Sequence, residues 1–151
     1  MTRIEESAFI KCSTKQAFDF AMDVKAWTQW DPTMLEAVQT SKGPMGVGTT
    51  FRGVVLAMGQ RQVWTGVVTG YQPNKSWSHN ITSGNVMINE HLVFDPAEGG
   101  TRFTQIYDIQ ANAFPEQIMT TVATGMHKEM RERLQLLKNI LEARSHTDEA
   151  A

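Results

Sequence analysis

A glutamate interrupts an apolar alternation in the second half of the chain. Val86, Ile88, Leu92 and Phe94 occupy alternate positions around Glu90, so a strand here would point the carboxylate to the same side as four apolar side chains. A carboxylate taken out of water needs a partner or a raised pKa. Glu90 is therefore the first candidate for chemistry in this sequence.

His79 is the candidate partner of Glu90, because it has the inward parity on the preceding predicted strand. A glutamate–histidine pair, with a hydrogen bond from Tyr107 or Gln105, suits general acid/base chemistry such as enolisation or loss of water beside a carbonyl. Catalytic roles for Glu90 and His79 are thus one hypothesis. The alternative is a polar cluster satisfied within the core, or a Glu90 that reaches solvent near a strand end. His91 has the other parity and is expected to face solvent.

Short alternating segments, separated by turn residues, must position these side chains. A capping-box sequence from Ser13 to Gln16 starts one short helix, and a second short helix ends before Pro32. Connections as short as those between the later strands join antiparallel neighbours. The pattern predicts one strand, two short helices, six further strands in a meander and one long helix. The predicted strands cover residues 4–12, 35–41, 49–58, 61–71, 76–82, 86–94 and 101–109.

A long amphipathic helix is predicted over residues 112–144. Its stripe, spaced by three or four residues, consists of Ile118, Val122, Met126, Met130, Leu134, Leu137 and Leu141. A stripe of this length must bury itself against a broad surface, and the sheet supplies one. Glu129 and Arg133 form an i,i+4 pair and are expected on the solvated side. Gly125 costs about 1 kcal/mol relative to alanine inside a helix, which indicates close packing, a bend or room for a bound molecule.

Composition argues against several classes of partner. The chain has 14 basic and 16 acidic residues and a formal charge of −2, which gives no electrostatic footprint for nucleic acid or anionic membrane. No apolar run is long enough for a membrane span and no signal peptide is recognisable, so a cytoplasmic location is expected. Cys12 is the single cysteine, which excludes an intrachain disulfide. The histidine spacing fits no metal motif and no nucleotide fingerprint follows a strand, so neither metal nor cofactor is expected.

Five short segments resemble the START-like, or SRPBCC, superfamily of Bet v 1-like helix-grip proteins. In the family's order they are Ser13–Phe20, Trp27–Pro32, Gly46–Phe51, Gly99–Thr104 and Leu136–Glu142. The nearest resemblance is to the bacterial polyketide cyclase/dehydrase and lipid transport group. It implies an α+β fold in which a curved seven-stranded antiparallel sheet wraps around the C-terminal helix, with a cavity for a hydrophobic ligand between them. The expected single domain covers residues 1–144, and residues 145–151 are expected to form a flexible tail.

The strand alternation then predicts which residues line such a cavity. Methionine on the long helix suits an adaptable wall, and the segment with the two tryptophans covers the side or mouth of the cavity in the resembled family. The predicted ligand-binding residues are Phe51, Val55, Val63, Thr65, Val67, Trp77, Ile81, Ile88, Leu92, Phe103, Gln105 and Tyr107 on strands, and Trp27, Trp30, Met119, Val122, Met126 and Met130 on helices.

Three functions fit this sequence. The first is binding of a small hydrophobic or amphipathic molecule inside the cavity. The second is a polyketide cyclase or dehydratase type of enzyme that uses Glu90 and His79 for acid/base chemistry. The third is a protein-interaction module, for which Trp64, with outward parity, is a candidate anchor that also allows a homodimer. The superfamily shares no single set of catalytic residues, so the fold by itself does not select among them.

Overall fold

The computed structural model describes residues 1–112 and 114–150, with side chains described through Ser145. The predicted α+β architecture is confirmed. The seven strands are β1 (Thr2–Ile10), β2 (Met34–Gln39), β3 (Thr50–Ala57), β4 (Gln60–Gln72), β5 (Ser76–Ser83), β6 (Val86–Ala97) and β7 (Gly100–Ala111). The helices are α1 (Thr14–Ala21), a 3₁₀ turn at Val24–Ala26, α2 (Trp27–Trp30) and α3 (Glu116–Ala150).

All neighbouring strands pair antiparallel in one sheet of order β1-β7-β6-β5-β4-β3-β2. Strands β2 to β7 form the predicted meander, and β1 closes on β7. The short helices α1 and α2 lie between β1 and β2 in the chain, so they connect the two edges of the sheet. The predicted capping box starts α1: Ser13 Oγ accepts from the Gln16 amide, and Gln16 Oε1 accepts from the Ser13 amide.

Only part of the predicted apolar stripe of α3 is buried. Met130, Leu134, Leu137 and Leu141 are buried, whereas Ile118 is 44 % exposed. The prediction that Ile118 belongs to the buried stripe was therefore wrong. The helix also continues through residues 145–150, which were expected to form a tail; Ala151 lies outside the described residues.

Arg133 and Gly125 also differ from prediction. Arg133 is 5 % exposed and therefore lies inside rather than on the solvated side. Its position, three residues after Met130 and four before Leu137, places it within the apolar stripe. Gly125 is exposed, and a Cβ built there meets no atom within 4 Å, so close packing does not explain this glycine.

The inner face of β4 is the reverse of the predicted one. Trp64 and Val68 are buried, whereas Val63, Thr65 and Val67 are exposed on the outer face. The predicted inward placement of these three residues was wrong, and so was the outward placement of Trp64, which is 3 % exposed and offers no surface anchor.

A β-bulge explains the reversal. The register of β4 against β5 shifts between Val68 and Gly70, and an extra residue moves every later side chain to the other face. Tyr71 does lie on the inner side, where its ring packs edge-on against Phe18 at a centroid distance of 5.6 Å. The prediction took one uninterrupted alternation from Val63 to Tyr71, which the bulge does not allow.

Aromatic rings from α2, β3, β4 and β5 pack around His79. The His79 ring lies 4.8 Å from Trp77, 5.4 Å from Phe51, 6.0 Å from Trp64 and 6.2 Å from Trp27, measured between centroids. We call these five residues the aromatic cluster. Rings at these separations pack as closely as a protein core.

Two glycines on neighbouring strands make room for the aromatic cluster. A Cβ at Gly66 would overlap the imidazole of His79, and a Cβ at Gly53 would lie 2.7 Å from the Trp64 ring. This role is not visible in the sequence alone, because a glycine inside a strand is equally typical of a bulge.

Gly66→Ala is expected to lower the free energy of unfolding by about 1–3 kcal/mol, because overpacking forces buried side chains out of place. Gly125→Ala is the matched control: it adds the same methyl group in open space on a helix and should raise stability by up to about 1 kcal/mol. Urea denaturation followed by tryptophan fluorescence measures both. Equal effects at the two positions would contradict the packing assigned to His79.

Candidate ligand-binding site

A buried ion pair joins the long helix to the end of α2. Arg133 Nε lies 3.1 Å from Asp31 Oδ2, and the two side chains are 6 % and 10 % exposed. The N–H does not point along this line, so charge rather than an aligned hydrogen bond holds the contact. The other Asp31 oxygen, Oδ1, accepts from the Thr33 amide at 3.0 Å and the Thr33 hydroxyl at 2.7 Å. These two bonds within a tight turn fix the orientation of the carboxylate toward the helix.

The same guanidinium organises the polar residues of the sheet. Arg133 Nη1 donates to Gln105 Oε1 and to the Tyr107 hydroxyl oxygen, both at 3.1 Å. Gln105 Nε2 in turn donates to Glu90 Oε2 at 2.5 Å. The order of donation fixes the orientation of the Gln105 amide and of the Glu90 carboxylate. Networks of this kind strengthen cooperatively in a low dielectric.

His79 completes the group on β5. Its Nδ1 lies 3.5 Å from Glu90 Oε1, and the two residues are direct partners in the β5–β6 register, as Glu90 and Tyr107 are between β6 and β7. Neither ring nitrogen of His79 has a hydrogen-bond partner among the described residues. We call Asp31, His79, Glu90, Gln105, Tyr107 and Arg133 the polar cluster.

Charge and burial act against each other in this cluster. Burial raises the pKa of Tyr107 well above its ordinary value, so the phenol stays protonated. Burial alone would lower the pKa of Arg133, but Asp31 and Tyr107 outweigh it and the pKa is raised, so the guanidinium stays charged. One turn earlier on α3, burial raises the pKa of the partly buried Glu129.

The prediction that His79, Glu90, Gln105 and Tyr107 share the inner face is confirmed by their burial. His91, on the other face, has its Nδ1 2.8 Å from Ser78 Oγ. Asp31 was missed altogether, and Arg133 was assigned to the surface. The sequence held one signal for Arg133, its place within the apolar stripe, and none for Asp31 beyond a carboxylate in an aromatic segment.

The inner face is covered unevenly: Ile88 is partly buried, whereas its β7 partner Ile109 is 1 % exposed. On β5, Trp77 is buried and Ile81 only partly buried, and on β6, Leu92 is buried and Ile88 only partly buried. Met126, on the first half of α3, is also partly buried. These partly buried side chains lie at the end of the sheet where β6 begins and β5 finishes, which we call the open end.

A pocket of about 320 Å³ lies at the open end, between the start of β1 and the first half of α3. Its apolar members Ile4, Met119 and Ala123 belong to or adjoin the core. In the sheet, Ile4 pairs with Tyr107, so one wall of the pocket is the strand next to the polar cluster. The other lining residues are Thr2, Arg3, Glu116, Thr120, Thr124 and His127. A volume of this size is at the lower end of the range for small-molecule sites.

The predicted lining residues divide between the two ends. Phe51, Trp77, Leu92, Phe103, Met130, Trp27 and Trp30 are buried in close-packed core, and Trp27 Nε1 donates to the Ala21 carbonyl at 2.7 Å. The partly buried ones are Val55, Ile81, Ile88, Met119, Val122 and Met126. A larger groove of about 490 Å³ lies at the opposite end, lined by residues such as Lys11, Gly99 and Glu142, and contains none of the predicted residues.

No group of three or more histidine, cysteine, aspartate or glutamate side chains in residues 1–112 and 114–145 is arranged to hold a metal ion. Within the described part of the chain, no helix has the length and apolar character that crossing a membrane requires.

A seven-stranded sheet that grips one long helix, with a polar cluster in their shared interior, defines a helix-grip protein of the START-like superfamily. Residues 1–142 match the family described as Polyketide cyclase / dehydrase and lipid transport. The chain belongs to this family, as its sequence motifs predicted.

Solved structures agree with the fold. The Zhui aromatase/cyclase from Streptomyces sp. R1128 is similar with a TM-score of 0.79 and 13 % identity, over 95 % of each chain. A START superfamily protein from Mycobacterium smegmatis has a TM-score of 0.78 and 15 % identity, over 92 % of this chain and 98 % of that one. The protein TTHA0849 from Thermus thermophilus has a TM-score of 0.81 and 17 % identity, over 95 % of this chain and 99 % of that one. At these identities the likeness concerns the fold alone. Among proteins of curated function, none matches the sequence.

Asp31→Asn is expected to lower the free energy of unfolding by about 3–5 kcal/mol, because it leaves the Arg133 charge buried without a partner. The matched control, Asp19→Asn, breaks the exposed ion pair with Lys15 and should change stability by less than about 1 kcal/mol. Thermal and urea unfolding measure both variants. Equal losses of stability in the two variants would contradict a stabilising role for the buried Asp31–Arg133 pair.

Proposed function

We propose that the protein binds a small amphipathic molecule between the sheet and helix α3, entering at the open end. One observation carries the proposal. Ile81 and Ile88 have the inward parity yet stay partly buried, while Leu92 on the same face is 1 % exposed. Apolar side chains that face inward without being covered gain about 25 cal/mol per Å² when a ligand removes them from water.

The polar cluster supports an amphipathic rather than a purely apolar ligand. Glu90 and Tyr107 are each 8 % exposed, whereas Gln105 behind them is 1 % exposed. Glu90 and Tyr107, which keep some solvent access, are therefore nearest to the ligand in this proposal. Gln105, behind them, fixes the orientation of Glu90. Apolar walls with a few oriented polar groups are the usual composition of a small-molecule site.

The volume of the pocket at the open end limits the size of the ligand. A ligand at the open end has the pocket beside Ile4 and Met119 and the space gained by moving partly buried side chains. Methionine at positions 119 and 126 suits such adjustment, since its unbranched chain adapts to varied shapes. A molecule of about ten to twenty non-hydrogen atoms is in keeping with sites of a few hundred Å³.

Met126→Trp is expected to fill the open end and weaken binding of the neutral probe N-phenyl-1-naphthylamine by at least tenfold, measured by the rise in probe fluorescence. Ile118→Trp, which adds the same indole to an exposed position on the same helix, is the matched control and should change the affinity by less than twofold. Probe binding that is absent from the unmodified protein, or equal in the two variants, would overturn the proposal.

An enzyme of carbonyl chemistry is a second candidate, favoured by the geometry around Glu90. Its Oε2 accepts from Gln105, while Oε1 lies 3.5 Å from His79 Nδ1. The Tyr107 oxygen accepts from Arg133, which leaves the phenolic proton free to donate to a substrate oxygen. A carboxylate base beside a polarised donor suits removal of a proton next to a carbonyl, with the enolate oxygen held by Tyr107.

Exchange of the methyl protons of an aryl methyl ketone for deuterium, followed by NMR, tests this second candidate. Glu90 would remove a proton from carbon, and the enolate would take back a deuteron from solvent. Glu90→Gln should reduce the protein-catalysed rate by at least a hundredfold, with retained thermal stability as the control. If the unmodified protein exchanges no faster than Glu90→Gln, the candidate fails and binding alone stays as the proposal.

A further inference from the structure

Carboxylates outnumber cations around Arg133. Three carboxylates, Asp31, Glu90 and Glu129, act on the buried Tyr107 hydroxyl, and among the described residues Arg133 is the one cation that opposes them. Asp31 is 7 % and Glu90 8 % exposed, so water screens them poorly. With every carboxylate ionised, the group has one positive and three negative charges.

The acceptors of this group also outnumber its donors. Asp31 uses both oxygens, on Thr33 and on Arg133. Glu90 uses Oε2 on Gln105, whereas Oε1 has only the 3.5 Å approach of His79. No hydrogen bond is formed by the Glu129 carboxylate among the described residues. Two carboxylates at the edge of the cluster thus retain lone pairs for a donor from outside the chain.

His79 gives independent evidence that the cluster accommodates a further polar group. It is 2 % exposed, its Nδ1 is directed at Glu90, and neither ring nitrogen is hydrogen-bonded within the described residues. Buried polar groups of native proteins normally have partners, since an unsatisfied one costs about 1–3 kcal/mol.

From this arrangement we infer that the polar end of the ligand is a protonated amine, held by Glu129 and Glu90 at the open end. The inference rests on the proposed binding function and specifies its ligand class. An alkylammonium group supplies one positive charge and up to three N–H donors, which matches the missing charge and the free lone pairs. A carboxylate ligand would add a fourth negative charge to the same space.

Glu129 determines this selectivity more than Glu90 does. It lies one turn before Arg133 on α3 and is partly buried, and its charge acts on the Tyr107 hydroxyl of the cluster. Burial raises the pKa of Glu129, Arg133 opposes this shift, and Asp31 and Glu132 add to it. A cation bound beside Glu129 relieves the burial of an unpaired charge, so the interaction favours ligands that carry one.

Competition among three probes of equal chain length tests the inference. Octylamine, octan-1-ol and octanoate differ only in the polar end, and each displaces N-phenyl-1-naphthylamine if it binds at the open end. At pH 7 we expect octylamine to bind at least about tenfold more tightly than octan-1-ol and octanoate to bind most weakly. An alcohol or carboxylate that binds as tightly as the amine would overturn the inference and leave the binding function intact. Displacement by none of the three would overturn the binding function itself.

Two isosteric variants separate a local effect from overall charge. Glu129→Gln should weaken octylamine binding by about tenfold and change octan-1-ol binding by less than twofold. Glu132→Gln removes the same charge from an exposed position on the same helix and should change both affinities by less than twofold. Equal losses of octylamine affinity in the two variants would overturn the role of Glu129.

Discussion

A single buried guanidinium determines the interior of this protein. Arg133 lies within the apolar stripe of α3, and a charge in that place is tolerated only because Asp31, Gln105 and Tyr107 contact it from α2 and β7. The contact ties the C-terminal helix to the short helical segment near the start of the chain and to the sheet. It also fixes the register of the helix, since a rotation of α3 would leave both Arg133 and Asp31 buried without partners.

The interior has two regions that differ in how closely their side chains are packed. On β3, β4 and β5, the rings of Phe51, Trp64 and Trp77 pack with Trp27 around His79, and Gly66 makes that packing possible. Toward the start of α3 the inner face is covered less completely. One fold therefore combines a close-packed region around His79 with a region that is covered less completely.

The polar cluster is common to the two proposed functions. The neutral Gln105 amide links Arg133 to Glu90 by accepting from the guanidinium and donating to the carboxylate, so Glu90 is oriented without direct contact with the cation. Both proposals, binding of a cationic ligand and removal of a proton from carbon, use the Glu90 carboxylate.

Local sequence was sufficient to predict the architecture and most of the residues on the inner face of the sheet. The alternation around Glu90 predicted the inner face of β6 correctly. The capping box at Ser13 and the stop at Pro32 predicted the two short helices, because these signals act over a few residues.

Tertiary structure decided the inner face of β4 and the partner of Arg133. A bulge after Val68 puts Val63, Thr65 and Val67 on the face opposite to Tyr71, and a bulge depends on the neighbouring strand rather than on its own residues. Arg133 was assigned to solvent because i,i+4 pairing with Glu129 satisfied a local rule, whereas its partner Asp31 lies about one hundred residues away in the chain. Long-range charge pairing and strand register are properties of the folded chain, and they determined which residues meet in the polar cluster.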